Sequence, residues 1–304
     1  MGNNQGDELS RRTFFSRMGL AASAASAGAA LALPDAAAGA QPAAAHQGSK
    51  VPLNYANAIR GIRIYPGQWR PHYPYEHIAW VSPSWPSQEY VWLDFPEAIF
   101  CNLGLIFLSH VDPPMDIPLP QIKWSSFPNG IAFDRQLPNG VRFGGSVTKG
   151  SDITVDLELH LYNGTAKPLT NITLQTCSYL HEIHEFADLT NDNKFVHLAN
   201  EGWVTLARAK TMAARPGQPY RIGWRTKGKL LADLPVNITK SNMADRYVAV
   251  TWYKDTLSMI GNPNFPCMHA DPQFRDLGPG ESASIHGKLI FYEGKLEDFD
   301  YLKF

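Results

Sequence analysis

Asp152-Ile153-Thr154-Val155-Asp156-Leu157-Glu158-Leu159-His160-Leu161-Tyr162 is the stretch on which the fold turns. Ile153, Val155, Leu157, Leu159 and Leu161 alternate with Thr154, Asp156, Glu158, His160 and Tyr162. A period of two sends successive side chains to opposite faces of an extended chain, so the stretch reads as a strand with one face in a core and one in water. Asn163-Gly164 follows as a turn signal. Residues 170–180 then alternate again, with Ile172 and Leu174 on one face and Gln175, Cys177 and Tyr179 on the other. The two segments are expected to pair as a hairpin.

Outward from this pair, further strands are expected over 202–207, 220–224, 246–253 and 282–292, the last after the tight turn Leu277-Gly278-Pro279-Gly280-Glu281. Residues 98–108 read as one buried strand or two. Residues 65–95 read as a looping, aromatic segment with short strands, because their prolines interrupt ladders. Residues 111–128 read as a Pro-rich surface excursion. Leu180, Ile183, Phe186 and Leu189 recur every three residues, which predicts a short helix within 178–189. The fold class expected is all-β: a large antiparallel sandwich of two packed sheets with at most one or two short helices.

Composition agrees with that class. Apolar residues make up 44 % of the 304, enough for a substantial core, and 23 Pro, 24 Gly and eight Trp fit many turns between strands. The net charge of −1 supplies no basic field for a phosphate polymer, so no nucleic-acid partner is expected. The three cysteines, Cys101, Cys177 and Cys267, each sit beside apolar residues and read as buried small hydrophobes; they allow one disulfide at most, with Cys177–Cys267 as the alternative. None has C-x-x-C spacing, which offers no sequence support for a cysteine zinc site.

The front of the chain is organised differently. Arg11-Arg12 precedes Phe14-Phe15, and a weakly apolar, Ala-rich run follows as far as Leu33. Charged head, apolar middle and small-residue exit are the layout of a cleaved export signal, and the arginine pair resembles a twin-arginine (Tat) signal. The apolar run is about 16 residues, short of the ~20 that span a bilayer, so no stable membrane anchor is expected. Residues 1–45 are read as signal and linker, and 46–304 as one sandwich domain whose part 46–128 is rich in aromatics and proline. The expected location is periplasmic or secreted, with the Tat machinery as export partner.

Four clusters carry candidate chemistry. In the first, His181, Glu182, His184 and Glu185 crowd one short segment. On a helix His181 and His184 would share a face, suited to acid–base work with Glu182 or, together with His269, to a divalent metal. The spacing is one residue short of H-E-x-x-H. In the second, His269 and Asp271 stand at i, i+2 and face the same side of an extended chain, so Asp271 can orient His269. The third is aromatic: Trp69, Tyr73, Tyr75, Trp80, Trp85, Tyr90 and Trp92 offer flat faces to sugar rings. The fourth joins Arg135 and Arg142 with Asp134 and Glu97, since arginines grip uronate carboxylates in two-pronged fashion. The catalytic candidates are therefore His181, His184, His269, Asp271 and Glu182; the substrate-binding candidates are Trp69, Trp80, Trp85, Arg135, Arg142 and Tyr179. No cofactor is required by the sequence.

From about residue 129 to 296 the chain resembles the galactose mutarotase-like β-sandwich superfamily. The residues that carry the likeness are 152–163, Pro168-Leu169-Thr170-Asn171-Ile172-Thr173, 175–180, Cys267-Met268-His269-Ala270-Asp271-Pro272, 277–281 and 289–294. That superfamily holds aldose epimerases and the sandwich domains of polysaccharide lyases and glycosidases. The resemblance implies a sugar or oligosaccharide in an aromatic-lined groove and an epimerase, lyase or hydrolase type of reaction. The aldose epimerases use a His acid and a Glu base, and His181 or His184 is the candidate acid. Trp92-Leu93-Asp94-Phe95-Pro96-Glu97 and His269-Ala270-Asp271-Pro272 also resemble phrases of uncharacterised Tat-exported bacterial proteins. The alternatives from other classes are a non-catalytic carbohydrate-binding protein and an assembly partner of another exported enzyme.

Overall fold

Two nine-stranded sheets face each other in the computed structural model, which describes residues 58–68, 76–109, 123–262 and 264–304. Numbering strands in chain order, the first sheet runs β1 (Ile64–Gly67), β2 (Ile78–Val81), β3 (Val91–Cys101), β9 (Thr173–Tyr179), β17 (Cys267–Pro272), β16 (Thr256–Gly261), β12 (Tyr220–Ile222) and β13 (Lys229–Ala232), with β4 (Gly104–Leu108) also on β3. The second runs β11 (Gly202–Thr205), β10 (Lys194–Leu198), β14 (Val236–Lys240), β15 (Arg246–Thr251), β18 (Ser282–Glu293), β8 (Thr154–Asn163), β7 (Val141–Lys149), β6 (Gly130–Gln136) and β5 (Ser125–Phe127). Neighbours are antiparallel except β12 and β16, which run parallel. The protein is an all-β sandwich.

Alternation decides what fills it. Val155, Leu157, Leu159 and Leu161 of β8 point inward and meet Leu93, Phe95, Leu174, Met268 and Ala270 of the first sheet in one buried cluster. At its centre Phe95 stacks on Trp252, ring centroids 5.9 Å apart and planes 13° from parallel. Burying side chains of this size contributes roughly 1.5–3 kcal/mol each.

One polar side chain ties the layers together. Asn237 of β14 is fully buried, and its Nδ2 donates to the carbonyls of Ile260 (2.9 Å) and His269 (2.8 Å) in the opposite sheet. Asn237→Leu keeps the volume but strands buried polar groups, and it is expected to lower unfolding free energy by about 1–3 kcal/mol in urea titration.

Three sequence expectations are corrected. First, β8 and β9 do not form a hairpin: β8 pairs with β7 and β18, whereas β9 pairs with β3 and β17 in the other sheet. The chain after Asn163 crosses between layers. Buried Asn163 holds that crossing, its Nδ2 donating to Lys167 O and Leu277 O (2.9 Å each), and Leu169 anchors it in the core. Second, the predicted helix within 178–189 reduces to one 3-10 turn, His184–Phe186, because β9 continues to Tyr179. Leu180, Ile183 and Phe186 are all buried without a helix. Third, the strand expected over 202–207 stops at Thr205, whose hydroxyl accepts from the Arg208 N–H and starts α1 (Leu206–Thr211). No helix among the described residues is long and apolar enough to cross a membrane. The candidate export signal lies outside the described residues.

Candidate functional site

On β17 the pleat sends Met268 and Ala270 into the core and Cys267, His269 and Asp271 to the outer face of the first sheet. Register then sets their neighbours. Cys177 of β9 stands opposite both His269 and Asp94, and Tyr179 stands opposite both Cys267 and Trp92. Trp92 in turn faces Trp80 across β3 and β2. An aromatic row, Trp80–Trp92–Tyr179, therefore crosses three strands next to a Cys–His–Asp row; the first two rings lie 5.8 Å apart and the last two 6.3 Å.

Glu97 joins from an irregularity. The β3–β9 register shifts between Asp94 and Ala98, releasing Glu97 from the pleat. Its Oε2 lies 3.8 Å from His269 Nδ1, and Asp271 Oδ1 lies 3.4 Å from the same nitrogen. Asp271 Oδ1 also accepts the Thr176 N–H at 3.1 Å. On the other edge of the imidazole, Nε2 is 3.5 Å from Cys267 Sγ. The segment after β12 covers the set: Trp224 meets the His269 ring edge-on at 5.7 Å, and Arg225 lies 3.7 Å over the Phe100 ring with Nη1 donating to Thr173 Oγ1.

Burial makes these charges interdependent. The Cys177 thiol donates to Cys267 and, with the positive charge of His269, brings the Cys267 thiol down to about 5 against the opposing effect of burial; Cys177 itself is pushed up. Burial alone would lower His269, but the Cys267 thiolate and Asp271 outweigh it and hold the imidazole well above its ordinary value. Burial raises Asp271, against the pull of His269 and the Thr176 N–H. Charge and burial together favour a thiolate on Cys267 beside an imidazolium on His269, with Asp271 and Glu97 the carboxylates nearest its other nitrogen.

The other sequence candidates are dispersed. His181 is exposed, 2.8 Å from Glu182 Oε1, and stacks on Tyr179 (5.7 Å, 13°); His184 is exposed and its backbone N–H donates to Glu89. Among the described residues, the set of three or more His, Cys, Asp or Glu side chains whose ligand atoms converge is Cys177, Cys267 and His269, all within 4.8 Å of one another. The metal set His181–His184–His269 is thus corrected: with no helix to align them, those three histidines do not form a converging ligand set among the described residues. The cysteines, placed in a metal site by nothing in their spacing, are brought together by strand pairing, and both are free thiols.

Trp85 is 1 % exposed and stacks on Phe186 within the core, so it offers no face to a sugar. Arg135 and Arg142 point to opposite sides of the second sheet. Arg135 is buried with Nη1 3.3 Å from His77 Nε2, while Arg142 pairs with Asp134 outside, so they form no common carboxylate clamp. An open hollow of about 360 Å³ beside Asp134, Glu158 and His160 occupies that outer face. Trp80 and Tyr179 sit in the aromatic row described above, and Trp69 lies outside the described residues. The sequence singles out nothing at Trp224, weighs Cys177 and Cys267 as a disulfide pair and not as ligands, and sets Glu97 among arginines. The alternation Cys267-x-His269-x-Asp271 was the available signal.

Comparisons with known proteins return no matching family model and no matching curated protein. Solved structures similar to this chain include a GalM/aldose epimerase homologue from C. elegans (12 % identity, TM-score 0.34, covering 58 % of this chain and 70 % of that one). A second is a candidate aldose 1-epimerase from Escherichia coli K12 (10 % identity, TM-score 0.40, covering 77 % and 100 %). These likenesses concern strand arrangement, and no residue role is carried across from them.

Proposed function

We propose that this protein handles a sugar or oligosaccharide at the outer face of its first sheet, with Glu97 as the group that exchanges a proton with the substrate. The observation that carries the reading is the position of Trp224, 42 % exposed, directly beside the Glu97–His269–Asp271 set. A flat indole suits the C–H face of a pyranose, and charged groups at its edge suit hydroxyls. Glu97 is the partly open member of the trio, its side chain 16 % exposed against 2 % for His269 and 3 % for Asp271. Glu97 therefore meets substrate, while His269 positions its carboxylate and Asp271 fixes the imidazole. Proton removal and return at a hydroxyl or a C–H beside a carbonyl is the step this set suits, as in epimerisation or β-elimination. The arginine pair at residues 11–12 supports a Tat-exported, periplasmic or secreted setting for this work.

The test is a calorimetric screen of the mature chain against an oligosaccharide panel. Trp224→Ala is expected to weaken the best ligand by about 5- to 100-fold, the loss of one stacking surface worth 1–3 kcal/mol. Unchanged affinity in Trp224→Ala would remove this face as the binding site.

A further inference from the structure

The geometry points to a metal site: Cys177, Cys267 and His269 bind one thiophilic divalent cation of the zinc class, leaving a fourth position open. The 3.5 Å between His269 Nε2 and Cys267 Sγ is the first support. Zinc bonds of about 2.0–2.1 Å to nitrogen and 2.3 Å to sulfur, set at the tetrahedral angle, separate the two ligand atoms by about 3.5 Å. Cys177 Sγ falls within the same 4.8 Å circle.

The second support is on the far side of the imidazole. A metal-bound histidine characteristically gives its other N–H to a carboxylate, which fixes the ring and raises its basicity. Here Nε2 faces the thiols while Nδ1 faces Asp271 Oδ1 at 3.4 Å and Glu97 Oε2 at 3.8 Å. Asp271 is itself oriented by the Thr176 N–H. Cys267, His269 and Asp271 thus lie in order along β17, with Cys177 beside them on β9.

The third support separates a metal from a disulfide. Cys177 is in register with His269, and Cys267 with Tyr179, so the cysteines are diagonal neighbours. Diagonal positions place Cα atoms about 7–8 Å apart, beyond the roughly 4.4–6.8 Å of most disulfides. A bridging cation of this kind spans that separation without moving backbone. Binding takes the proton from the Cys177 S–H and the one proton held between Cys267 and His269 Nε2, forms two S–metal bonds and one N–metal bond, and releases both protons to solvent; two thiolates then neutralise the dication. The site stands independently of the sugar reading.

The experiment uses the full mature chain, purified reduced and without a histidine tag, titrated with Zn2+ against a chromophoric chelator and separately with Co2+. One Zn2+ per chain is expected, together with thiolate-to-cobalt charge-transfer absorption. Cys177→Ala and Cys267→Ala should each abolish that absorption, whereas Cys101→Ser, altering the remaining cysteine, should leave it intact. Asp271→Asn, which spares every ligand, should weaken zinc about 10- to 100-fold. Failure of the reduced parent chain to bind either ion stoichiometrically overturns the site, and because it concerns the unmutated protein it is independent of how the variants fold. Binding that survives Cys177→Ala, or a Cys177–Cys267 disulfide found by thiol counting in the exported protein, overturns it as well.

Discussion

Trp252→Ala is expected to lower the free energy of unfolding by about 3–5 kcal/mol, the loss typical of a large aromatic removed from a core that cannot collapse around the void. Trp252 is completely buried, lies against Phe95 and directs its Nε1–H to Thr176 Oγ1 at 3.3 Å. The surrounding packing is tight. A Cβ added at Gly287 would come within 2.7 Å of the Trp252 ring, and one at Gly145 within 2.6 Å of Phe95. Both strands approach that closely because glycine stands there, which leaves little freedom to refill the space. Thr176 also donates its backbone N–H to Asp271, so the indole supports the site from beneath. Urea unfolding of the mature chain checks this: the midpoint should fall with little change in slope. Trp252→Phe, which keeps most of the volume but not the hydrogen bond, should lose less.

Glu97→Gln is expected to reduce turnover of a processed saccharide by about 10²–10⁴-fold, the usual contribution of a positioned acid–base group. This corresponds to roughly 3–5 kcal/mol of barrier. The amide keeps the size and hydrogen-bonding reach of the carboxylate but cannot take up a proton. The loss should therefore fall on kcat while KM changes little. Steady-state kinetics on the substrate found in the screen decides it. Equal kcat for Glu97→Gln and parent would show that the bulged segment of β3 supplies structure alone.

Local pattern and long-range pairing were unequally legible in the chain. The strict alternation of 153–161 identifies β8 and the inward set Val155, Leu157, Leu159 and Leu161, because a period of two is a property of the strand itself. Which strand β8 pairs with is not such a property. Asn163-Gly164 reads as a hairpin turn, yet the Asn163 side chain binds Leu277 O, 114 positions away, and the chain changes sheets. The site divides in the same manner. Cys267, His269 and Asp271 share a face by spacing alone. Cys177 reaches them through the pairing of β9 with β17, and Glu97 through a register shift in β3, and neither leaves a mark at the level of residue spacing. His181 and His184 were drawn in by a threefold apolar repeat that a strand end and a 3-10 turn satisfy equally well.

We propose that ligand meets the outer face of the first sheet, beside His269 and Trp224. Indole N–H resonances of the eight tryptophans, followed by NMR as the saccharide from the panel is added, test it most directly. Shifts are expected at Trp224, with smaller ones at Trp92 and Trp80, while the core residues Trp85 and Trp252 stay fixed. Shifts at Trp124, whose ring contacts Phe133 in the lining of the hollow at Asp134 and His160, with Trp224 unmoved would contradict it.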